Sequence, residues 1–284
     1  MSKNFVQNET VRALALTALR FQARSRFWAS GPRIFINSIP KAGTHLVTAE
    51  LRKFDNLRNS YLHIARDRVV RGAGNGERID VEAFQRFSAM VRPGQYFTAH
   101  LEHDGDLAHA LRVNGIRSLF VVRDPRDVLV SRYHYVMGLK RHRLHDLFTR
   151  RLQNDDDRWR LLIDGFEGPP PMTPLAEMLA AFRGWMSAEG VLTVRFEDLV
   201  GARGGGDDAR RAATFRRIAE HCGLPTGHIE AIAGAATAAT PTLRKGRTGG
   251  WRTDLPAPFQ RLVAERCAGE LAAYGYEMET GGAA

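Results

Sequence analysis

The feature that most constrains this chain is the run from Arg33 to Leu46, Arg-Ile-Phe-Ile-Asn-Ser-Ile-Pro-Lys-Ala-Gly-Thr-His-Leu. A β-branched and aromatic segment breaks at Pro40 and resumes with helical spacing, which predicts strand, tight turn and helix. The first amides of such a helix, Thr44 to Val47, lack intrahelical partners and converge with the positive end of the helix dipole, so an anionic oxygen group fits there. Lys41 adds a full charge beside that spot, and Gly43 lets a ligand approach the backbone closely. The turn is not a Walker A loop, because its lysine precedes the glycine. An ordinary βα turn with a solvated lysine has the same local pattern, so the chemistry must be read from the rest of the chain.

Nothing in the composition divides the 284 residues, and a single α/β domain is expected. Cys222 and Cys267 lie far apart without metal or disulfide spacing, which points to a reducing compartment. The pairs His100/His103 and His142/His145 have no matching cysteine or carboxylate cluster, so surface histidines and no metal are expected. A net charge of +10 suits an anionic partner, whether a nucleotide, an acidic polymer, nucleic acid or a membrane surface. No apolar run approaches the roughly 20 residues that span a bilayer, and no cleavable leader pattern opens the chain, so the expected location is cytoplasmic.

Residues 9–26 read as a basic amphipathic helix, and 1–32 are set apart as an N-terminal unit. It either packs one face on the domain or makes peripheral contact with an anionic membrane. A strand at 33–38 and a helix at 44–54 follow, then an ambiguous segment at 61–70 and a glycine-rich surface loop at 71–76. A helix over 80–91 leads into a strand at 95–99. That strand ends at His100, and the carboxyl ends of parallel strands are where open α/β sheets bind ligands. His100 on that rim is either a hydrogen-bonded structural residue or, given the Lys41 loop before it, a general base, with Glu102 and His45 as alternatives on the same rim. The clearest strand, fully apolar, spans 116–122 and delivers Arg123, with Pro125 opening a helix that carries Ser131. A guanidinium fork and a hydroxyl suit a phosphate. Asp124 and Asp127 read as helix caps, 138–171 as irregular with a His/Arg-rich helix followed by a helix start at Asp155–Asp157, and 201–208 as a loop leaning to disorder. Helices at 174–188, 209–222 and 228–239, a strand at 191–196 and one closing helix at 257–274 complete the pattern. The glycine- and cation-rich segment 243–252 is either an anion clamp or a nucleic-acid patch.

Several of these segments resemble the signatures of sulfotransferases that use 3′-phosphoadenosine 5′-phosphosulfate (PAPS). Pro40-Lys41-Ala42-Gly43-Thr44-His45-Leu46 resembles the family's Pro-Lys-Ser-Gly-Thr-Thr-Trp, and Thr98-Ala99-His100-Leu101 its Lys-Thr-His-Leu. Arg123-Asp124-Pro125-Arg126-Asp127 through Ser131 resembles Arg-x-Pro-x-Asp-x-x-x-Ser, and the following Arg132-Tyr133-His134-Tyr135 resembles Tyr-Tyr-His-Phe. Phe196-Glu197-Asp198-Leu199 resembles Tyr-Glu-Asp-Leu, and Arg244-Lys245-Gly246 through Arg252 resembles Arg-Lys-Gly-x-x-Gly-Asp-Trp-Lys, with Gly250 for the aspartate.

The resemblance implies a single domain over 33–279 with a central parallel sheet flanked by helices and a P-loop-like phosphosulfate site. It implies sulfuryl transfer from PAPS to a hydroxyl or amine, with His100 as base and Lys41 on the leaving phosphate oxygen. Residues Lys41, Ala42, Gly43, Thr44, His45 and Leu46 would cradle the 5′-phosphate. Arg123, Ser131, Arg244, Lys245 and Gly246 would hold the 3′-phosphate, and Phe196 would pack near the adenine. Leu46 stands where the family's tryptophan stacks on the base, and the segment after Trp251 departs from the family's dimerisation element, which leaves oligomeric state open. The acceptor implied is a small molecule, sugar, lipid or peptide. A nucleotide-dependent phosphotransferase is the alternative, but Lys41-Ala42 lacks the magnesium-binding hydroxyl that would follow a Walker lysine. A nucleic-acid-binding role is not expected, since no recognised module supports it.

Overall fold

In a computed structural model of the chain, residues 9–25, 30–72, 76–227, 229–234 and 246–277 are described. Five parallel strands form one sheet in the order β2-β5-β1-β6-β7: β1 (Arg33–Ser38), β2 (Arg58–Ile64), β5 (Gln95–Ala99), β6 (Ile116–Val122) and β7 (Val191–Arg195). Two short antiparallel strands, β3 (Val70–Arg71) and β4 (Arg78–Ile79), make a separate hairpin. Helices are α1 (Glu9–Ser25), α2 (Thr44–Leu51), α3 (Val81–Ser88), α4 (Gly105–Val113), α5 (Pro125–Gly138), α6 (Asp155–Asp164), α7 (Leu175–Arg183), α8 (Asp208–Cys222), α9 (Ile229–Gly234), α10 (Trp251–Asp254), α11 (Ala257–Arg266) and α12 (Ala268–Ala273).

The sheet is covered on both faces, which is why its central strands read as uninterrupted apolar runs. Side chains alternate along each strand. Phe35, Phe97 and Phe120 enter one core cluster, with Phe84, Phe182 and Trp185, while Ile34, Ile36, Tyr96, Leu119 and Val121 enter the other, with Phe215 and Ile218. β1 lies between β5 and β6, so the chain leaves the sheet at Ser38, Ala99 and Val122 side by side. That adjacency builds the site.

The segment that was ambiguous in sequence, 61–70, holds the end of β2, a 3-10 turn over Arg66–Arg68 and the start of the hairpin. β2 is an edge strand whose pairing slips between Asn59 and His63, with Tyr61 at φ 56°, so it carries no clean alternation to read. α1 packs on β2, with Arg20 donating to the Tyr61 carbonyl at 3.1 Å, and its Ala23 carbonyl accepts from Gln95 Nε2 at 3.2 Å. Its Leu14 and Phe21 remain 67% and 75% exposed. No helix among the described residues is long and apolar enough to cross a membrane.

Three local expectations are corrected. Residues 201–208 are an ordered turn, because Thr248 donates its amide to the Gly204 carbonyl at 2.9 Å and a Cβ at Gly206 would meet the Glu197 carbonyl at 2.7 Å. The closing helix is two, α11 and α12, separated at Cys267. Between α5 and α6 the His/Arg-rich segment is a series of turns followed by one π-helical turn, Leu147–Arg151. Asn154, with its side chain accepting the Asp157 amide, then starts α6 at the aspartate run as expected. The helix expected over 228–239 is described only as Ile229–Gly234, and the remainder lies outside the described residues.

Candidate active site

The turn after β1 needs its unusual backbone. Lys41 has φ 76° and Gly43 φ 117°, the latter in a region L side chains avoid. A Cβ at Gly43 would also lie 2.6 Å from Phe196 Cδ2, so the position excludes alanine twice. The turn uses the Ala42 amide on the Ile39 carbonyl at 3.0 Å and the Leu46 and Val47 amides on the Gly43 carbonyl at 2.9 and 3.2 Å. Of the amides Thr44 to Val47 expected to lack partners, those of Leu46 and Val47 are thus taken by the Gly43 carbonyl, because the turn closes on itself, which leaves Thr44 and His45, with Gly43 before them, at the helix start where the dipole favours an anion. Lys41 Nζ sits 3.8 Å from the centroid of the Tyr135 ring. Burial, together with the Arg123 charge, lowers its pKa to about 8. Burial by neighbouring atoms, then the Lys41, His100 and Arg52 charges, lower the His45 pKa to about 4, although the residue as a whole is exposed.

Arg123 leaves the end of β6 and stacks its guanidinium 4.1 Å from the Phe196 ring centroid. It donates to the Arg247 carbonyl at 2.8 Å and approaches Asp127 at 3.6 Å, while its Nε is buried without an acceptor. Asp124 caps α5 through the Arg126 amide at 2.9 Å and grips the Arg126 guanidinium, as expected of a cap. Asp127 does something else. Nearly fully buried, it accepts the Gly249 amide at 2.8 Å and the Trp251 amide at 2.9 Å, tying the 246–251 loop to α5. Burial pushes its pKa up against those bonds. Glu197, also raised by burial, accepts the Asp124 amide at 3.0 Å and the Tyr276 hydroxyl at 3.0 Å, fixing the start of α5 to β7.

His100 lies across from Ser38. Its Nδ1 is 3.0 Å from the Ser38 carbonyl and 3.1 Å from the Ser38 hydroxyl, which in turn is 2.6 Å from Thr44 Oγ1. A carbonyl only accepts, so Nδ1 carries the proton and Nε2 keeps its lone pair. Burial holds the imidazole below its ordinary pKa, with the Ser38 bond opposing and the Lys41 charge adding, so the ring is neutral at pH 7. Glu102 instead accepts from Arg66 Nε at 2.7 Å, and Arg66 also reaches Glu77.

One cleft of about 240 Å³ collects these segments: Lys41, Gly43, Thr44, His45 and Leu46, then His100, Arg123, Ser131, Phe196 and Gly246 all line it. Ala42 is buried under the turn. Arg244 and Lys245 fall outside the described residues. Neither histidine pair forms a metal cluster among the described residues. Sequence reasoning missed Asp127, Tyr135 and Glu197. Tyr135 follows Ser131 by four residues on one helix, so helical spacing carried that signal. Asp127 follows Arg123 by four, but its loop partners are more than a hundred residues away.

Residues 31–275 match the family model described as the sulfotransferase domain. A match over that much of the chain settles the class: this chain belongs to the sulfotransferase family, enzymes that transfer a sulfuryl group from PAPS, and the phosphotransferase alternative is not favoured. Among solved structures the fold is similar to mouse sulfotransferase SULT7A1 complexed with PAP, with TM-score 0.54 and 17% identity over 90% of this chain and 88% of that one. It is similar also to retinol dehydratase in complex with androsterone and the inactive cofactor PAP, with TM-score 0.50 and 18% identity over 84% of this chain and 80% of that one. At these identities the likeness is one of fold. No curated protein matches the sequence significantly.

Proposed function

We propose that the cleft between Lys41 and Arg123 is the PAPS site and that His100 is the base that receives the acceptor's proton. The observation that carries this is the convergence of four segments distant in sequence, 40–46, 100, 123–135 and 246–254, on one cleft rich in anion donors. The cradle fits a phosphate ester: Gly43, Thr44 and His45 line the cleft at the start of α2 and their amides have no backbone acceptor among the described residues, and the buried, unpartnered Nε of Arg123 is the kind of group a second phosphate satisfies.

Bound PAPS supplies an electrophilic sulfuryl group and a phosphate leaving group. The Gly43, Thr44 and His45 amides hold the 5′-phosphate, and Lys41 Nζ opposes the charge that grows on its bridging oxygen. Arg123, Ser131 and the Gly246 backbone would hold the 3′-phosphate, a role the resemblance extends to Arg244 and Lys245. Phe196 and Leu46 present apolar surface toward the base. His100 Nε2 takes the acceptor's proton while Nδ1 stays fixed on Ser38. This reading uses protein cations for charge stabilisation and takes no metal. The catalytic unit is 33–279, with 1–32 set apart from it, and within that segment the exposed Leu14 and Phe21 of α1 beside Arg20 suit peripheral contact with an anionic membrane. Buried free thiols at Cys222 and Cys267 support a cytoplasmic setting.

The donor's second phosphate gives the test. Hydrogen bonds to charged groups contribute about 1.5–3 kcal/mol each, so two of them amount to roughly 100-fold or more in affinity. Calorimetry should show adenosine 3′,5′-bisphosphate binding far more tightly than adenosine 5′-monophosphate, with the gap narrowed in Arg123→Ala. Equal wild-type affinity for the two nucleotides would sink the donor assignment.

A further inference from the structure

No acid holds Lys41. Among the described residues its ammonium meets neither a carboxylate nor a carbonyl, and its contact is with the face of the Tyr135 ring, whose centroid lies 3.8 Å from Nζ. The negative face of an aromatic ring attracts a cation, and more strongly where water is excluded. Lys41 is half-buried, and Arg123 and Arg247, the other cations of its cleft, only oppose its charge. The acids that line the same cleft are engaged elsewhere: Asp127 by the Gly249 and Trp251 amides and by Arg123, Asp254 by the Thr253 hydroxyl at 3.2 Å. His45, His100 and His142, which feel the Lys41 charge, are all held below their ordinary pKa and are neutral at pH 7.

The ring is itself fixed. Tyr135 is half-buried on α5, and the His142 ring stands against it edge-on, with centroids 5.4 Å apart and planes at 79°. His142 is braced in turn, since its Nδ1 accepts the Leu144 amide at 3.2 Å and its own amide donates to the Leu139 carbonyl at 2.8 Å. On the other side, Lys41 leaves the chain at φ 76°, a backbone region that a residue with a side chain keeps only where its surroundings impose it. Lys41 and Tyr135 both line the cleft. An ammonium carries three donors, so one that rests on a ring keeps donors on the side away from it. A carboxylate in the place of the ring would neutralise the charge that a phosphate needs, whereas an aromatic face fixes the flexible stem and leaves the charge whole.

We propose that Tyr135 is a positioning residue for the transfer: the face of its ring holds the Lys41 ammonium charged and turned into the cleft before the donor binds. The inference rests on the role given above to Lys41, and its main test needs no nucleotide. The free protein is reductively methylated with isotope-labelled formaldehyde, and the Lys41 signal, assigned by its loss in Lys41→Arg, is titrated by NMR. The wild type should titrate near 8. Tyr135→Leu keeps an apolar side chain without the ring face, so the Lys41 midpoint should fall by about half a unit to one and a half units, while Tyr135→Phe should stay near the wild type. Unmodified protein gives a second readout. Between pH 6 and pH 8 the dissociation constant of adenosine 3′,5′-bisphosphate should rise about twofold in the wild type and in Tyr135→Phe, but about tenfold in Tyr135→Leu for a midpoint lowered by one unit. In the Lys41→Arg background Tyr135→Leu should add no pH dependence, which a merely structural defect would not arrange. If Tyr135→Leu does not fold, Tyr135→Met takes its place in the same titrations. A Lys41 midpoint that is unchanged or raised without the ring, or that falls equally in Tyr135→Phe, overturns the proposal, while the donor reading is judged separately by the wild-type preference for the bisphosphate over the monophosphate.

Discussion

The Lys41 ammonium makes nucleotide affinity depend on pH in a direction the structure dictates. In the free protein, burial and the Arg123 charge hold its pKa at about 8. Two donor phosphates would restore the charge, moving the pKa of the complex back toward or above the ordinary 10.5. A group that titrates higher in the complex than in the free protein takes up a proton on binding, so affinity is full below pH 8 and declines above it. With a free pKa of 8, about nine-tenths of Lys41 is charged at pH 7 and about one-tenth at pH 9, so the dissociation constant of adenosine 3′,5′-bisphosphate should rise roughly tenfold between them. Calorimetry at pH 7, 8 and 9, run in buffers of different ionisation enthalpy, measures both the slope and the proton uptake, which should approach one proton near pH 9. Lys41→Arg keeps the charge without titrating and should bind with little pH dependence over this range. A flat wild-type profile, or an equal slope in Lys41→Arg, would refute the argument. Turnover adds a second reading: Lys41→Ala should lower it by roughly 100- to 1000-fold, as loss of one aimed donor does elsewhere.

His100→Ala should abolish transfer with bisphosphate affinity nearly unchanged, because a base acts on the acceptor; if Glu102→Gln is the dead variant and His100→Ala survives, the assignment moves to Glu102. Gly43→Ala meets both a positive φ and the Phe196 ring, so it should weaken nucleotide binding at least tenfold and lower the unfolding midpoint, and a neutral result would show that the turn adapts. Asp127→Ala removes acceptors from two amides and a neighbour from Arg123, and is expected to cost about 2–4 kcal/mol of stability along with nucleotide affinity, measured by denaturant titration and calorimetry; a loss confined to stability would separate Asp127 from the site.

Much of the cleft was legible in the chain because its chemistry is local. A strand ending in Ser38, a turn bearing Lys41 and Gly43, and a helix start at Thr44 are neighbours in sequence, and their amides and charge point together whatever the rest of the protein does. The same holds for Arg123 and Ser131, placed by one strand and two turns of one helix. Pairing was not legible. That β1 lies between β5 and β6, which brings His100 beside Ser38 and Arg123 beside Lys41, depends on how the sheet buries both faces, and nothing within any single strand specifies its neighbours. The ordered turn at 201–208 misled for this reason: glycines and charges read as slack until Thr248 arrives from forty residues on to hold them. Asp127 likewise reads as a cap, and only the fold supplies the Gly249 and Trp251 amides that use its carboxylate.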